Sequence, residues 1–324
     1  MIYIETGSDD VYYNFGLEYY FTVEKQLPDT VFLFWRTTPT LMVGKYQNVA
    51  EEINKPYADE HGIKLVRRMS GGGTIYTDLG GWQFTFICHG AEKEIEFSRF
   101  IEPVIDALHE MGVNAGFNGR NDLTIDGKKF SGNAQYRLGE SLVHHGSLLF
   151  DTDIEQMSTT VDSYKIISKS IKSVRDRVTN ISEHLPSAMS PDEFKECMVR
   201  HIMRGSSDVY KVTAEDDRCI REIAKEKFES WQSIFGVNPK FNIERTGRFD
   251  GGKITFRLDV SKGVIKNASV FGDFFSTLDA ETICSALIGC RYEKGDVLRA
   301  LLSNGIDGAV YRISAEDMAK TIVD

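Results

Sequence analysis

Apolar residues recur along this chain at two periods, and the switches between them mark its elements. After Ser8-Asp9-Asp10, the residues Val11, Phe15, Tyr19 and Val23 repeat every four positions. That spacing predicts a helix with one apolar face, and the polar residues before it supply capping oxygens. Val31–Trp35 and residues 41–44 read as strands around a turn at 37–40. Phe97, Ile101, Val104, Ile105, Leu108 and Met111 predict a second amphipathic helix, ended by Gly112. Residues 142–150 read as a strand on which His144 and His145 face opposite ways. From 190 to 235 the pattern is helical and charged. It lapses around 236–252, where Pro239, Gly247, Gly251 and Gly252 fall. Beyond, Ile254, Phe256, Leu258 and Val260 alternate, Lys262-Gly263 turns the chain, and 278–287 and 297–302 return to helical spacing.

One hairpin can be read in register. Leu123-Thr124-Ile125 is followed by Asp126-Gly127, the strongest short signal for a two-residue turn. With those residues as the loop, Ile125 pairs with Lys128, Thr124 with Lys129, Leu123 with Phe130 and Asp122 with Ser131. Leu123 and Phe130 then face the core, while Lys129 points away from it with the Asp122 carboxylate one diagonal step off. Lys128 stays at the turn, within reach of solvent.

These elements make an α+β chain with mixed or antiparallel sheets, divided into residues 1–245 and a small α+β unit at 246–324. A length of 324 residues fits two domains, and 41% hydrophobic with 27% charged residues is globular composition. The net charge of −10 argues against general nucleic-acid binding, while leaving room for an anion in a locally basic pocket. Five cysteines without a C-x-x-C indicate neither a disulfide framework nor a zinc site, and fit buried thiols in a reducing compartment. No basic segment followed by an apolar stretch opens the chain, and no run approaches membrane-spanning length. A cytoplasmic location without membrane contact is the expectation.

Two features carry candidate chemistry. In Arg67-Arg68-Met69-Ser70-Gly71-Gly72-Gly73-Thr74-Ile75-Tyr76, three glycines leave backbone N–H groups open to a phosphate or carboxylate, beside two guanidinium groups. Alone, this is equally a flexible surface turn, and neither a Walker loop nor a G-x-G-x-x-G fingerprint is present. Lys129 offers a point charge for phosphate and carboxylate oxygens, or is simply a solvated hairpin lysine. Asp122 orients it, holds a magnesium ion, or is its surface partner. Of the adjacent histidines, one can touch a ligand while the other fills the core. The basic run Lys165, Lys169, Lys172, Arg175 and Arg177 reads as a solvated helix face or a docking site for an acidic partner.

Taken together, RRMSGGGTIYTDLG at 67–80, GRNDLTIDGKKFSGNAQ at 119–135, HHGSLLFD at 144–151 and KSVRDRVTN at 172–180 resemble the lipoate–protein ligase A family in its long form. PKFNIERTGRFDGGKITFRLDV at 239–260 is similar to the start of that family's C-terminal accessory domain. The resemblance implies a biotin/lipoate ligase-like α+β domain plus that small domain. It implies a two-step reaction, in which lipoate and MgATP give lipoyl-AMP, and the lipoyl group then passes to a lysine of a carrier. The implied carriers are the lipoyl domains of 2-oxoacid dehydrogenase E2 subunits and the glycine-cleavage H protein.

It also implies roles. Lys129 matches the family's catalytic lysine. Arg68, Gly71, Gly72, Gly73, Thr74, Ile75, Tyr76, Asn121 and Asp122 match the ATP and adenylate site, with Asp122 a candidate for Mg2+. Trp35, Arg68, Ser70, Gly73, Lys129 and His145 match the lipoate site. The chain departs from the common pattern at Thr77, where His is frequent, at Gly81, where Asn is, and at Met69. The alternatives are an ATP-independent lipoyl or octanoyl transferase of the same fold and a non-catalytic lipoate-binding paralogue; a biotin ligase fits the Lys129 motif less well. The glycines near 236–252 raise the expectation that the small domain rotates after adenylation.

Overall fold

The computed structural model describes residues 1–47, 49–90, 95–160, 176–206, 208–235, 242–261 and 263–323. Its strands are β1 (Ile2–Ile4), β2 (Val31–Trp35), β3 (Thr40–Val43), β4 (Lys64–Arg67), β5 (Ile75–Thr77), β6 (Gly81–His89), β7 (Ala115–Phe117), β8 (Asp122–Ile125), β9 (Lys128–Leu138), β10 (Ser141–Leu149), β11 (Val209–Tyr210), β12 (Ile243–Phe249), β13 (Gly252–Ser261) and β14 (Val264–Gly272). An eight-stranded sheet runs β11-β1-β2-β6-β10-β9-β8-β7. It is mixed: β1 is parallel to β2 and β11, and the remaining pairs are antiparallel. A smaller sheet, β4-β3-β5, carries the glycine-rich loop between β4 and β5.

Both faces of the large sheet are covered. The helix Ser98–Glu110 packs Phe100, Ile101, Val104 and Leu108 onto Phe32, Phe34, Phe84 and Phe86. The helix Val11–Tyr19 packs Val11, Phe15 and Leu17 onto Leu33, Trp35, Ile87 and Val143. Strand β6 is therefore buried along residues 81–88 and shows no apolar–polar alternation. That is why period-based reading passes over it.

Several local expectations need correction. β2 and β3 do not pair with each other; β2 lies in the large sheet and β3 in the small one. Asp10 occupies the N-cap position without a side-chain cap, because its carboxylate pairs with Lys64 at 2.7 Å. The Asp126-Gly127 turn forms as expected, with φ of 51° and 78°. Ile125 pairs with Lys128 and Thr124 with Lys129, but a bulge follows, so Leu123 faces Ser131 and Asp122 faces Gly132. Phe130 is the extra residue, and its burial with Leu123 in the core holds the bulge there. Of the basic run, Lys165, Lys169, Lys172 and Arg175 lie outside the described residues, as do 236–241 of the glycine-bearing stretch.

Strands β12-β13-β14 form a separate antiparallel sheet. Ile254, Phe256 and Leu258 point from it into a core shared with the helices Ala280–Leu287, Lys294–Ser303 and Ala315–Val323. This unit docks on the rest of the chain beside the glycine-rich loop. Tyr46 stacks on Phe274 at 4.5 Å and donates to the Leu278 carbonyl at 2.9 Å. Arg312 donates to the Gly119 carbonyl at 3.0 Å. Because β12 begins at Ile243, we propose that the domain boundary lies before that residue rather than at 245/246.

Candidate active site

The glycine-rich loop is built by its first arginine pair, and the two do different work. Arg67 turns away, donating to the carbonyls of Gly44, Lys45, Gln47 and Ile234. Arg68 is buried and turns inward. Its Nε donates to Ser70 Oγ at 3.1 Å, and its terminal nitrogens donate to the carbonyls of Met42, Gly71 and Gly73 at 2.7–2.8 Å. Burial, with Arg67 beside it, lowers the Arg68 pKa to about 10, which leaves it cationic at neutral pH. Arg68 thus moulds the loop, and most of its donors are spent doing so.

The three glycines also differ. A Cβ on Gly71 would lie 1.9 Å from the carbonyl oxygen of Phe274, and Gly72 takes φ +87°. The Gly72 amide donates to that same carbonyl at 3.0 Å. Gly73 has open space, with Asp273 Cβ, at 4.0 Å, the nearest neighbour of an added Cβ. Two of the glycines therefore serve a close backbone approach by the C-terminal unit.

Across from the loop, the β8–β9 hairpin presents Lys129. Its Nζ lies 2.7 Å from Asp122 Oδ1, and its side chain is 40% exposed. Lys129 lines two adjoining clefts. The first is lined by the apolar Phe15, Trp35, Met42 and Ile75 and by the polar Asn121, Lys129 and Ser147. The second is walled by Tyr76, Leu149, Met157 and Val178, with Ser131 and Arg177. Thr74, Ile75, Gly132 and Ser147 border both. Phe275, from the C-terminal unit, closes part of the first cleft and packs edge-on against Phe97 at 5.6 Å.

This two-part geometry has counterparts. Residues 10–203 match the model of the lipoyl protein ligase A/B catalytic domain, and residues 238–322 match that of the bacterial lipoate protein ligase C-terminus. The chain belongs to the lipoate–protein ligase family. It is 38% identical to lipoate–protein ligase LplJ of Bacillus subtilis, over 99% of this chain and all of that one. The fold is that of P. falciparum LipL1 crystallised with lipoate, at a TM-score of 0.78 and 21% identity over 93% and 94% of the two chains. A lipoate–protein ligase A bound with ATP superposes at a TM-score of 0.62 and 21% identity, over 73% and 98%.

In the ligase the remaining expected residues are placed as follows. Trp35 is buried, packs edge-on against Phe15 at 5.3 Å and donates to Thr85 at 3.3 Å. His145 lines the first cleft, whereas His144 lies in the core, stacked on Phe100 at 4.9 Å. Ser70 is fully buried behind the loop and bonds His145 Nε2 at 2.6 Å. Asn121 exchanges bonds with Asn133 at the cleft edge. Thr74 donates to Gln47, and Tyr76 to Gln156. None of the five cysteines lines either cleft. A transferase working through a cysteine nucleophile lacks its thiol here.

Two of the three departures, at 77 and 81, are neighbours. A Cβ on Gly81 would lie 2.9 Å from Thr152 Oγ1 and 3.1 Å from Thr77 Oγ1. The small residue at 81 and the threonine at 77 fit each other, and Thr77 in turn accepts from Gln83 of the first cleft at 2.8 Å.

Sequence reasoning missed Glu18. It sits in a helix that is buried on nearly every side and is itself 1% exposed. The signal was available: a lone carboxylate within an all-round apolar helix must be partnered inside the protein. Among the described residues no helix is long and apolar enough to cross a membrane, and no group of three or more His, Cys, Asp or Glu could hold a metal ion.

Proposed function

We propose that the ligase activates lipoate with MgATP in the two joined clefts and then passes the lipoyl group to a lysine of a carrier lipoyl domain in the cytoplasm. The observation that carries this reading is the place of Lys129, whose side chain borders both clefts at once. An acyl chain lying along Phe15, Trp35, Met42 and Ile75 brings its carboxylate to Lys129. A nucleotide in the cleft of Tyr76, Leu149 and Val178 brings its α-phosphate to the same ammonium.

The chemistry needs that meeting. A carboxylate oxygen attacks the α-phosphorus, an acyl phosphate bond forms, and pyrophosphate leaves. Two anions must approach, so positive charge and alignment supply most of the rate. Lys129 is a fixed cation at the point of contact, and Asp122, at 2.7 Å, holds its position. Thr74, Ile75 and Tyr76 border the nucleotide cleft, Gly72 and Gly73 line the acyl cleft beside it, and the backbone of Gly71, Gly72 and Gly73 is assigned to the adenylate by family resemblance, with Arg68 setting the loop's shape. Asn121 borders the first cleft, as Lys129 does. In the second step an uncharged carrier lysine attacks the acyl carbonyl, the new amide forms, and AMP departs. Trp35, Ser70 and His145 set the lipoyl end.

Mg2+ would be held mainly by the nucleotide and would neutralise phosphate charge there. A single protein carboxylate, Asp122, suits an ion that keeps its waters and the phosphate oxygens, and does not suit an all-protein cage. E2 lipoyl domains and the glycine-cleavage H protein are the proposed carriers, by family resemblance.

The test is mass analysis of an apo-carrier domain after incubation with the ligase and lipoate, with and without MgATP. A lipoyl mass increase that requires ATP is expected. Modification without ATP would favour the transferase reading, and lipoate binding without pyrophosphate release would favour the non-catalytic one.

A further inference from the structure

Glu18 ends two chains of hydrogen bonds, and both begin at the walls of the first cleft. On one side, Trp35 Nε1 donates to Thr85 Oγ1 at 3.3 Å, and Thr85 donates to Glu18 Oε2 at 2.8 Å. On the other, Arg68 Nε donates to Ser70 Oγ at 3.1 Å. Ser70 Oγ meets His145 Nε2 at 2.6 Å, and His145 Nδ1 meets the Glu18 oxygens at 3.2 and 3.3 Å. The Tyr136 hydroxyl adds a third donor to Glu18, at 2.9 Å. Thr85 and His145 are direct cross-strand partners on β6 and β10, so the sheet itself brings them under one carboxylate.

Donor rules and the available partners give the second chain a preferred proton arrangement. A guanidinium N–H can only donate, so Ser70 Oγ accepts from Arg68. The Ser70 oxygen keeps a second lone pair, but among the described residues His145 Nε2 is the one acceptor within reach of the Ser70 hydroxyl hydrogen, so we take Ser70 to donate and Nε2 to accept. The imidazole proton is left on Nδ1, facing a carboxylate that can only accept. In that arrangement the hydrogens run one way, from Arg68 to Glu18.

Glu18, Thr85, Ser70 and His145 are all buried. Arg68 also holds the carbonyls of Gly71 and Gly73. Whatever sets the Arg68 fork sets the loop.

We propose that Glu18 is a positioning residue of the ligase, which through His145 and Ser70 holds Arg68 and the glycine-rich loop, and through Thr85 holds Trp35, in the geometry the first half-reaction uses. The inference rests on the adenylation reading above. Glu18 itself does not border the cleft; it acts through the residues that do.

The experiment joins spectroscopy with kinetics on the full chain. Nitrogen-15 NMR of the histidine rings, with His145 assigned by comparison with His145→Asn, reads the tautomer. The wild-type ring is expected to carry its proton on Nδ1, and an Nε2-protonated ring overturns the proposal without any variant. Glu18→Gln is nearly isosteric and leaves the cleft lining in place. It should change that tautomer signature and lower kcat/KM for lipoate-dependent pyrophosphate release about 10- to 100-fold, as small misplacements of reacting groups do. Ser70→Ala cuts the same chain in the middle. If both act through one path, the double variant loses much less than the product of the two single losses. Multiplicative losses, or a folded Glu18→Gln enzyme with wild-type kcat/KM, overturn it. If Glu18→Gln does not fold, the wild-type tautomer decides. A wild-type protein that releases no pyrophosphate would instead sink the adenylation reading, and the ring spectrum would still report on the chain.

Discussion

The amide of Gly72, in the glycine-rich loop, donates to the carbonyl of Phe274, in the C-terminal unit, at 3.0 Å. One of the loop's open donors is thus in use, and its partner belongs to the core of the C-terminal unit. An adenylate phosphate that claims this amide competes with Phe274 for it. Ligand and docking are then linked, since a ligand shifts an equilibrium by its differential affinity for the two states. A non-hydrolysable lipoyl-adenylate analogue should change the small-angle scattering profile towards a more extended particle. Identical profiles with and without the analogue would count against this competition.

The glycines of the loop are predicted to differ sharply in what they tolerate. Gly71→Ala places a methyl group 1.9 Å from the Phe274 oxygen, where backbone on both sides resists movement. It should destabilise the docked form by about 1–3 kcal/mol, as overpacking does. Gly73→Ala meets only Asp273 Cβ at 4.0 Å and should change stability by less than about 0.5 kcal/mol. Thermal unfolding of the two variants checks the contrast, and equal losses would refute the packing role assigned to Gly71.

Acid sensitivity should arise in part from His144. Burial, with His145 beside it, holds its pKa well below the usual imidazole range, so the native ring is neutral. In the unfolded chain it takes a proton near pH 6.5. Below that pH the unfolded state binds the extra proton, so stability is lost as pH falls, by up to about 1.4 kcal/mol per unit for this one group. Urea unfolding between pH 7.5 and 5 should show the decline, and His144→Gln should flatten it. An unchanged slope in the variant would mean that other groups set the acid limit.

The sequence reading of this chain succeeded where local chemistry decides and failed where long-range contacts do. The Asp126-Gly127 turn formed because two adjacent residues tolerate positive φ, a property readable from the dipeptide. Its register slipped past Thr124 because Phe130 is drawn into a core that only the folded chain assembles. Lys129 still emerged on the outer face beside Asp122, since the bulge comes after it. The glycine-rich loop stood out by composition, but Gly71 answers to Phe274, some two hundred residues away in the chain, and nothing local announces that neighbour. Arg67 and Arg68 looked alike in sequence, yet one braces the backbone of 44–47 and the other moulds the loop. β6 escaped notice because a strand covered on both faces has no alternation to read.

The account turns on Lys129 as the cation shared by the two clefts. Its side chain is 40% exposed and its removal opens no core cavity, so Lys129→Ala should fold and melt like the wild type. The direct measurement is lipoate-dependent pyrophosphate release by that variant at saturating MgATP. The account predicts a loss of about 10²-fold or more in kcat, the scale seen when one preorganised charge-stabilising group is removed. Release at the wild-type rate by a folded Lys129→Ala enzyme would contradict it.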